Sequence, residues 1–536
     1  MASAKVFVRE VTGFIREAGL LDVFALNYGY TGSTFSLWLA FIMGQTLWAF
    51  PGSDFGIASL ITIIPTVLFI SFVWAFMSIC MPRSGGDYVY ISRVIHPAIA
   101  FATNFTHAIM LCFFVAFGAY WGAGLGVATL LANIGYHFKI PLLIQWSIAL
   151  QDINNLFILS TILIIIFGLI VLSGLKRYLY FNNALLIIGT IGSIVGIILL
   201  ATTPQVTFQE RFNSFMKVFT EDPNYYMTVI KQAESVGYTP APPFSWTATF
   251  LAVPIAFSTS IYCVGSSYIG GEVKEVSKNQ LISMPLAAIW LGVWNAIIYW
   301  VSNNAVGYAF NSSINYLWWQ GEPLKLPLWP FFNLWATLST DNVLLAALAG
   351  IGFLALGLMY PPMNILLVTR MIFSWSFDRI FPEKLASVDE RTRSPIWAVL
   401  FTMVIAEIFL IIFTYTPYFT GLAGIAGTLV MYIFTSLAAV LLPFRLKSIY
   451  EVSPISKYKL GKVPLISILG VGGVILSASV LIAYLIEPRY LVNAPSSLSI
   501  ITGTLVLGFI IFYVAKAYRK AKGIDISLAF KELPPE

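Results

Sequence analysis

The sequence contains few charged residues for its length. Asp, Glu, Lys and Arg make up only 10% of its 536 residues, whereas hydrophobic residues make up 58%. Soluble domains carry about 25% charged residues, because a globule in water must cover its surface with polar groups. The composition therefore indicates an integral membrane protein that contacts the lipid bilayer, and no segment is large and polar enough to fold alone in water.

Cysteine and histidine are also scarce, which argues against several kinds of site. The three cysteines lie within or at the ends of apolar runs, so they do not suggest a disulfide framework: Cys80, Cys112 and Cys263. The three histidines are scattered: His96, His107 and His137. The sequence has no HExxH motif, no serine nucleophile elbow and no phosphate-binding loop. We therefore predict that the chain is not an enzyme and holds no cofactor or metal ion.

Apolar runs longer than the roughly 20 residues that a membrane-crossing helix needs recur along nearly the whole chain. Their lengths suit helices rather than the short alternating strands of a barrel. The first and third runs are too long for a straight crossing, so these helices should be broken, tilted or protruding. We predict an all-α polytopic membrane protein with about twelve transmembrane spans, at 22–50, 56–80, 97–131, 153–174, 180–201, 246–271, 281–309, 342–372, 395–415, 419–442, 463–487 and 495–518.

Lys and Arg are distributed unevenly between alternate connections, and positive charge is retained on the cytoplasmic side of membranes. With the N-terminus in the cytoplasm, 24 of the 30 Lys and Arg residues fall on that side and 6 fall outside. We therefore predict a plasma-membrane protein with both termini cytoplasmic. The net charge of +6 then reflects contacts with anionic lipid at the inner face, so no nucleic-acid partner is expected.

The centres of the first and sixth spans are unusually polar. Residues 27–38 read NYGYTGSTFSLW, and residues 258–267 read STSIYCVGSS. The two spans lie five apart, so they would insert with opposite orientations. Paired interruptions of this kind are typical of transporters built from inverted repeats, which bind their substrate at the breaks. The alternative is that the Ser and Thr side chains only hydrogen-bond their own helices or join neighbouring helices.

A helix that unwinds at membrane depth exposes peptide N–H groups on one side of the break and carbonyls on the other. Such backbone is tolerated only where it lines a cavity or is covered by protein. We expect a neutral cradle for a zwitterion, with its carboxylate near the amides of residues 32–34 and its ammonium group near carbonyls of both spans. The candidate substrate-binding residues are Thr31, Gly32, Ser33, Thr34, Phe257, Ser258, Thr259, Ser260 and Tyr262.

Three predicted cytoplasmic connections resemble the signatures of one transporter superfamily. Residues 82–93, PRSGGDYVYISR, resemble the proline, paired-glycine and tyrosine motif after span two of the amino acid, polyamine and organocation (APC) superfamily. Residues 271–279, GEVKEVSKN, are similar to its acidic motif after span six, although the usual Asn-Pro pair is replaced. Residues 369–395 resemble its segment after span eight, with Arg370 and Asp378 in place.

The resemblance implies a LeuT-like core of five plus five spans in two inverted repeats, followed by two further spans. It also implies alternating access, in which spans one, two, six and seven move against a scaffold of spans three, four, eight and nine. The superfamily's Gly-Ser-Gly signature in span one is only partly kept. The predicted segments are a cytoplasmic N-terminus at 1–21, a core at 22–442 with repeats at 22–201 and 246–442 around an external loop at 202–245, two added spans at 443–518 and a cytoplasmic tail at 519–536.

The residues that would couple transport to an ion gradient are less evident. Many relatives carry a lysine in span five, and the matching position here is Thr190 or Ile191. Thr190 could bind sodium, but span eight offers no adjacent pair of Ser or Thr residues to complete the oxygen shell. His107 in span three and Glu407 in span nine are candidates for proton coupling, because ionisable residues are rare within membranes. A structural hydrogen bond is the alternative for both, and we favour it.

Together these patterns favour a secondary active amino acid transporter that is proton-coupled or an exchanger. Neither break contains a side-chain carboxylate, so a neutral amino acid fits better than a dication. The alternative within the class is a transporter of polyamines or other organic cations. The alternative from another class is a membrane channel, but the polar residues cluster at one depth and no selectivity-filter motif is present.

Overall fold

The computed structural model describes residues 14–32, 34–416 and 421–533, and this part of the chain is almost entirely helical. One short antiparallel hairpin joins Lys459–Leu460 to Val463–Pro464. Within the described residues, ten helices are long and apolar enough to cross a membrane: Phe55–Cys80, Pro97–His137, Ile153–Leu172, Leu175–Thr202, Val276–Val306, Val343–Phe377, Ile396–Tyr415, Gly424–Arg445, Leu465–Ile486 and Pro495–Ala521. They match ten of the twelve predicted spans, which confirms an all-α polytopic membrane protein.

The other two predicted spans, the first and the sixth, are those in which the helix is interrupted. The first consists of two helices, Leu20–Gly29 and Leu37–Ala49. The sixth begins as the helix Trp246–Phe257 and continues through turns into two 3₁₀ segments, Gly265–Tyr268 and Gly270–Glu272. Each helix is therefore too short to cross a bilayer alone, as the polar sequence at each centre predicted.

Several helices extend beyond the predicted limits. The third span continues to His137 instead of ending at 131, and it contains a π-helical turn at Gly122–Val127. The fifth begins at Leu175 rather than 180. Lys176 and Arg177 lie between the predicted spans 153–174 and 180–201, and a helix that protrudes from the lipid can carry both charges in its first turn. Apolar character marks where a helix meets lipid, whereas hydrogen bonding decides where it ends.

The long connection at 203–244 is partly helical, with helices at Gln205–Met216 and Tyr225–Ser235. Three further helices that we did not predict lie in the described connections before the fourth and eighth spans. They are Pro141–Ala149, Tyr308–Gln320 and Phe332–Leu338. The ring of Phe212 lies 4.9 Å from that of Phe310, centroid to centroid. The helices at 205–216, 225–235, 308–320 and 332–338 bury aromatic side chains against one another at one end of the bundle.

Small residues bring the fifth and eighth spans into backbone contact. A Cβ atom added to Gly192 would lie 2.4 Å from the Cα atom of Gly352, so neither position can carry a side chain without separating the helices. Close approach of this kind is a principal source of helix association in lipid, where apolar burial alone gives no advantage. Gly196, one turn further along the fifth span, similarly accommodates the ring of Phe35 beside the first break.

Candidate functional site

The first break is formed by two residues with left-handed backbone. Gly32 has φ +59° and Thr34 has φ +74°. A side chain at Gly32 would also lie 2.9 Å from the ring of Tyr360, so glycine is required there for two reasons. Thr34 has no such freedom, and a left-handed threonine is an uncommon conformation that concentrates at functional sites. The chain thus leaves one helix at Gly29 and enters the next at Leu37.

Hydrogen bonds close around this turn. The amide of Trp38 donates to the carbonyl of Gly32 at 2.9 Å, and the Ser36 hydroxyl donates to the same oxygen. The Thr31 hydroxyl donates to the carbonyl of Tyr28 at 2.9 Å, and Thr34 Oγ1 pairs with the Tyr28 hydroxyl. Thr31, Gly32 and Thr34 are all buried, while Ser33 lies outside the described residues. The polar groups of the break are therefore covered by protein.

The hydroxyl cluster of the sixth span lies where the helix ends. Ser258 and Thr259 each donate to the carbonyl three residues earlier, at 2.6 Å, and Ser260 does so at 3.3 Å. This is the back-bonded geometry that the alternative interpretation predicted. The same three carbonyls also accept from the amides of these residues, at 3.0 to 3.1 Å, so the back-bonding occurs where the α-helix gives way to tighter turns. Phe257, the last residue of the helix, is also buried.

Two asparagine side chains that we did not predict join the broken spans. Asn295, on the seventh span, accepts from the Thr34 amide at 3.1 Å and donates to Thr259 Oγ1 at 2.8 Å, so it bridges both breaks. Asn27, in the first span, accepts from the amide of Ser266 at 2.8 Å and donates to Ser283 at 3.0 Å. The sequence feature that could have identified them is an asparagine within an apolar span, because such residues usually form hydrogen bonds to a neighbouring helix.

Aromatic side chains surround the breaks. The rings of Tyr30 and Tyr262 lie 4.9 Å apart, and Phe114 lies 6.1 Å from Tyr262 and 6.0 Å from Tyr360, between ring centroids. Tyr262 is the one of these four that the sequence analysis selected. Tyr30 directly follows the first half-helix, whereas Phe114 and Tyr360 come from the third and eighth spans and reach the breaks only in the folded protein. They give the region an apolar wall around a few oriented polar groups, which is the usual composition of a small-molecule site.

His107 joins this wall to the tenth span. Its Nε2 atom lies 2.8 Å from the Tyr30 hydroxyl and its Nδ1 atom lies 3.0 Å from Thr428 Oγ1. Tyr262 also donates to Thr428, at 3.1 Å. Both imidazole nitrogens of this fully buried side chain are therefore engaged in bonds between helices. Thr428 carries bonds from two site residues and was not selected from the sequence.

The other two coupling candidates lie elsewhere. Glu407 accepts from the Thr161 hydroxyl at 2.6 Å, at the contact between the fourth and ninth spans. Thr190 is half-buried on the fifth span, and its carbonyl accepts from Ser193 at 2.9 Å. Within the described residues, no hydrogen bond joins either side chain to the breaks, and no cluster of three His, Cys, Asp or Glu side chains is arranged to hold a metal ion.

The end of the bundle that carries residues 82–95, 271–275 and 378–395, here called the basic face, is closed by buried ion pairs. Arg370 donates to Glu272 through Nε at 2.8 Å and through Nη2 at 3.0 Å. Asp378 accepts from Arg93 at 2.8 Å. All four side chains are almost completely buried. The ion pair between Arg370 and Glu272 joins the segment after the break in the sixth span to the eighth span. Separating these two elements requires breaking this pair.

The N-terminal segment reinforces this closure. The amides of Glu17 and Ala18 donate to the carbonyl of Glu272 at 2.9 and 3.0 Å, and the amide of Lys274 donates back to Ala18 at 2.9 Å. The guanidinium of Arg370 lies 4.6 Å from the ring centroid of Phe14. The segment before the first span is therefore joined to the segment after the sixth span by an isolated parallel β-bridge between Ala18 and Val273.

One comparison with known proteins identifies a family. The chain matches the family model described as amino acid permease over residues 19–512. That range includes both breaks and the buried ion pairs of the basic face. A comparison with curated proteins gives no match.

Proposed function

The chain belongs to the amino acid permease family, within the APC superfamily, and from this premise we propose that it is a secondary active transporter of neutral amino acids that works by alternating access. The observation that carries the proposal is the pair of buried helix breaks bridged by Asn295. Family membership favours transport over enzymatic activity. The pair of breaks gives the transported molecule a binding site at the middle of the bundle.

The substrate carboxylate would bind at the first break. The Thr34 amide already faces an oxygen acceptor, Oδ1 of Asn295, at 3.1 Å. A carboxylate oxygen is a stronger acceptor for the same donor, and the positive end of the helix that begins at Leu37 lies on that side. The proposed binding residues are those selected from the sequence, Thr31 to Thr34 and Phe257 to Ser260 with Tyr262, together with Asn295.

The charge of the breaks supports a neutral amino acid. Segments 30–36 and 258–264 contain no Asp, Glu, Lys or Arg. The α-ammonium group would bind to carbonyls at the end of the first half-helix, where partial negative charge collects. A polyamine would bring at least two positive charges to a site without a carboxylate, which is costly in an apolar surrounding. Transport of polyamines or other organic cations is the alternative.

Alternating access would proceed by opening the basic face. We infer that this face is cytoplasmic and that spans one, two, six and seven move against spans three, four, eight and nine. Glu272 belongs to the first group and Arg370 to the second, so their ion pair would separate when substrate is released. The burial of the break residues supports a carrier over a channel, because an open pore would leave polar groups at this depth in contact with water.

Two further features belong to the same proposal. The repeats would comprise residues 22–201 and 246–442, with the last two spans outside the core, and the protein would lie in the plasma membrane with both termini in the cytoplasm. The driving force would be a proton gradient or exchange. Sodium coupling through Thr190 is less well supported, because its half-buried hydroxyl makes no bond to the breaks in the described part of the chain.

The test is uptake by proteoliposomes that contain the purified full-length protein. Labelled neutral, cationic and anionic amino acids and putrescine are compared under imposed proton or sodium gradients and in counterflow. Saturable uptake and counterflow of at least one neutral amino acid are expected. Uptake of putrescine without any zwitterionic amino acid would contradict the proposal, as would single-channel currents. Ser33→Leu is expected to abolish uptake, and unchanged uptake would move the site elsewhere.

A further inference from the structure

Three buried carboxylates lie at the basic face, and only two of them are paired with arginine. Glu272 is paired with Arg370 and Asp378 with Arg93. The third, Asp87, is completely buried, and in the described part of the chain its partners are all neutral. Tyr268 donates its hydroxyl to Oδ1 at 2.7 Å, and the Asn104 amide donates to both carboxylate oxygens at 2.9 Å. A buried carboxylate without a cation is costly in its charged form.

We propose that Asp87 is the site at which this transporter binds and releases its coupling proton, and that its protonation state controls the opening of the basic face. The inference deepens the proposed function and rests on it. It assigns the proton to the connection between the second and third spans rather than to the membrane residues His107 and Glu407. Binding converts the carboxylate to a carboxylic acid, and release returns the proton to water at the opened face.

The groups around Asp87 leave its charge uncompensated. Its own helix, Asp87–Val94, packs against the third, eighth and tenth spans. The titratable and charged side chains on these elements and at the first break are Tyr30, Tyr88, Tyr90, Arg93, His107, Cys112, Tyr120, Tyr136, His137, Tyr360, Arg370, Asp378, Tyr432 and Arg445. The arginines are all bonded elsewhere, Arg93 to Asp378, Arg370 to Glu272, and Arg445 to the carbonyl of Val94. In the part of the chain that the structure describes, the peptide dipoles of its short helix and two neutral side chains stabilise the carboxylate.

Burial raises the pKa of the Asp87 carboxyl to about 7, and the hydrogen bonds from Tyr268 and Asn104 offset part of this effect. A group with this pKa can gain and lose a proton near neutral pH. Asp378, one helix away, is also buried, but its carboxylate faces the guanidinium of Arg93. The contrast lies in the partners, since both carboxylates are buried to the same degree.

The orientation of Asn104 identifies the protonation state that this arrangement fits. Trp375 donates its indole N–H to Asn104 Oδ1 at 2.7 Å, so the amide must turn its NH₂ group toward Asp87. Asp87 therefore faces donors from both partners, which suits an ionised carboxylate. A proton on Oδ2 displaces the bond that this oxygen accepts from Asn104, and it leaves Oδ1 uncharged and therefore a weaker acceptor for Tyr268 and Asn104. Protonation weakens this set of bonds.

The partners of Asp87 belong to elements that the proposed mechanism moves apart. Tyr268 lies in the segment after the break in the sixth span, whereas Asn104 and Trp375 lie on the third and eighth spans. The ionised carboxylate thus ties the moving segment to the scaffold. Protonation loosens the tie and favours opening, and release of the proton on the cytoplasmic side allows the tie to form again after the face closes.

This cluster also adjoins the proposed substrate site. The ring of Tyr268 lies 6.3 Å from that of Tyr30 and 6.0 Å from that of His107. Tyr30 is the first residue after the first half-helix, and its hydroxyl is bonded to His107 at 2.8 Å. A change at the first break therefore reaches the Asp87 cluster through adjacent rings, which provides a physical connection between substrate and proton.

The test compares the wild-type protein with Asp87→Asn in proteoliposomes, using an amino acid identified by the uptake panel. The wild type should accumulate this amino acid when an inward proton gradient is imposed. Asp87→Asn, an isostere of the protonated acid, should retain counterflow and lose this stimulation and its pH dependence. Glu407→Gln removes an acid in the ninth span and should keep both. Stimulation of Asp87→Asn equal to that of the wild type would overturn the inference.

If Asp87→Asn shows no counterflow, a second variant tests the inference. Tyr268→Phe removes one hydrogen bond to the ionised carboxylate and keeps the ring. It should raise the midpoint of the pH dependence of uptake by about one pH unit, because the charged form loses a donor. An unchanged midpoint would overturn the inference. If the wild type carries no amino acid, the proposed function fails, whereas amino acid transport that ignores the proton gradient refutes only the role of Asp87.

Discussion

The guanidinium of Arg370 and the carboxylate of Glu272 meet through two hydrogen bonds, of 2.8 and 3.0 Å, with both side chains withdrawn from solvent. Arg370 belongs to the eighth span, and Glu272 belongs to the segment after the break in the sixth span. Planar, bidentate pairing of this kind fixes the relative position of the two elements. The pair is therefore a structural bond, and the proposed opening of this face would break it in every transport cycle.

Replacement of one partner should have a large effect on stability. In Glu272→Gln the buried guanidinium loses its counter-charge, which costs about 3–5 kcal/mol. We expect a clear fall in the melting temperature of the detergent-purified protein, together with loss of uptake. The control is Lys278→Gln, which removes an exposed ion pair with Glu275 in the same connection. An equal melting temperature for Glu272→Gln and the wild type would show that the pair does not hold the face closed.

Gly32→Ala tests the geometry of the first break. The new side chain would require left-handed backbone, at a cost of about 1–2 kcal/mol, and would contact the ring of Tyr360. The break should shift, and initial uptake should fall about tenfold or more while the protein still reaches the membrane. Gly503→Ala, where nothing lies within 4 Å of the added atom, is the matched control. Uptake by Gly32→Ala at the wild-type rate would contradict the assigned geometry.

Asn295 can be tested by a change of charge without a change of shape. Asn295→Asp would place a carboxylate beside the Thr34 amide, in the position that we assign to the carboxylate of the substrate. Repulsion should raise the half-saturation concentration for a neutral amino acid by about tenfold or more. The same substitution at Asn154, which is exposed at the end of the fourth span, should leave this value unchanged. If Asn295→Asp also leaves it unchanged, the carboxylate binds elsewhere.

The spans and the two breaks could be predicted because they depend on local composition. An apolar run of sufficient length forms a helix in lipid, and glycine with hydroxyl residues at its centre weakens that helix. The amphipathic helices at 308–320 and 332–338 were not predicted because they are shorter than a membrane span. Their aromatic residues are also interspersed with polar residues, so they form no apolar run. Their burial depends on Phe208, Phe212 and other residues far away in the sequence.

The site could be predicted only where it belongs to the broken spans. Asn295, Tyr360 and Thr428 come from the seventh, eighth and tenth spans, and nothing in their local sequence indicates which neighbour each one meets. For His107, the alternative hypothesis of a structural hydrogen bond agrees with the structure, because both ring nitrogens are hydrogen-bonded to neighbouring helices. For Asp87 the motif was recognised, but its distinction from Asp378 depends on which arginine faces which carboxylate, and this is a property of the folded chain.

The most direct test of the central claim is competition by substrate analogues. The claim is that peptide groups at the two breaks hold both charged ends of an amino acid. Uptake of the labelled neutral amino acid is measured in the presence of its carboxamide, which lacks the carboxylate, and of its deaminated acid, which lacks the ammonium group. The account predicts that neither analogue competes at concentrations at which the unlabelled amino acid abolishes uptake. Competition by either analogue as strong as by the amino acid itself would contradict it.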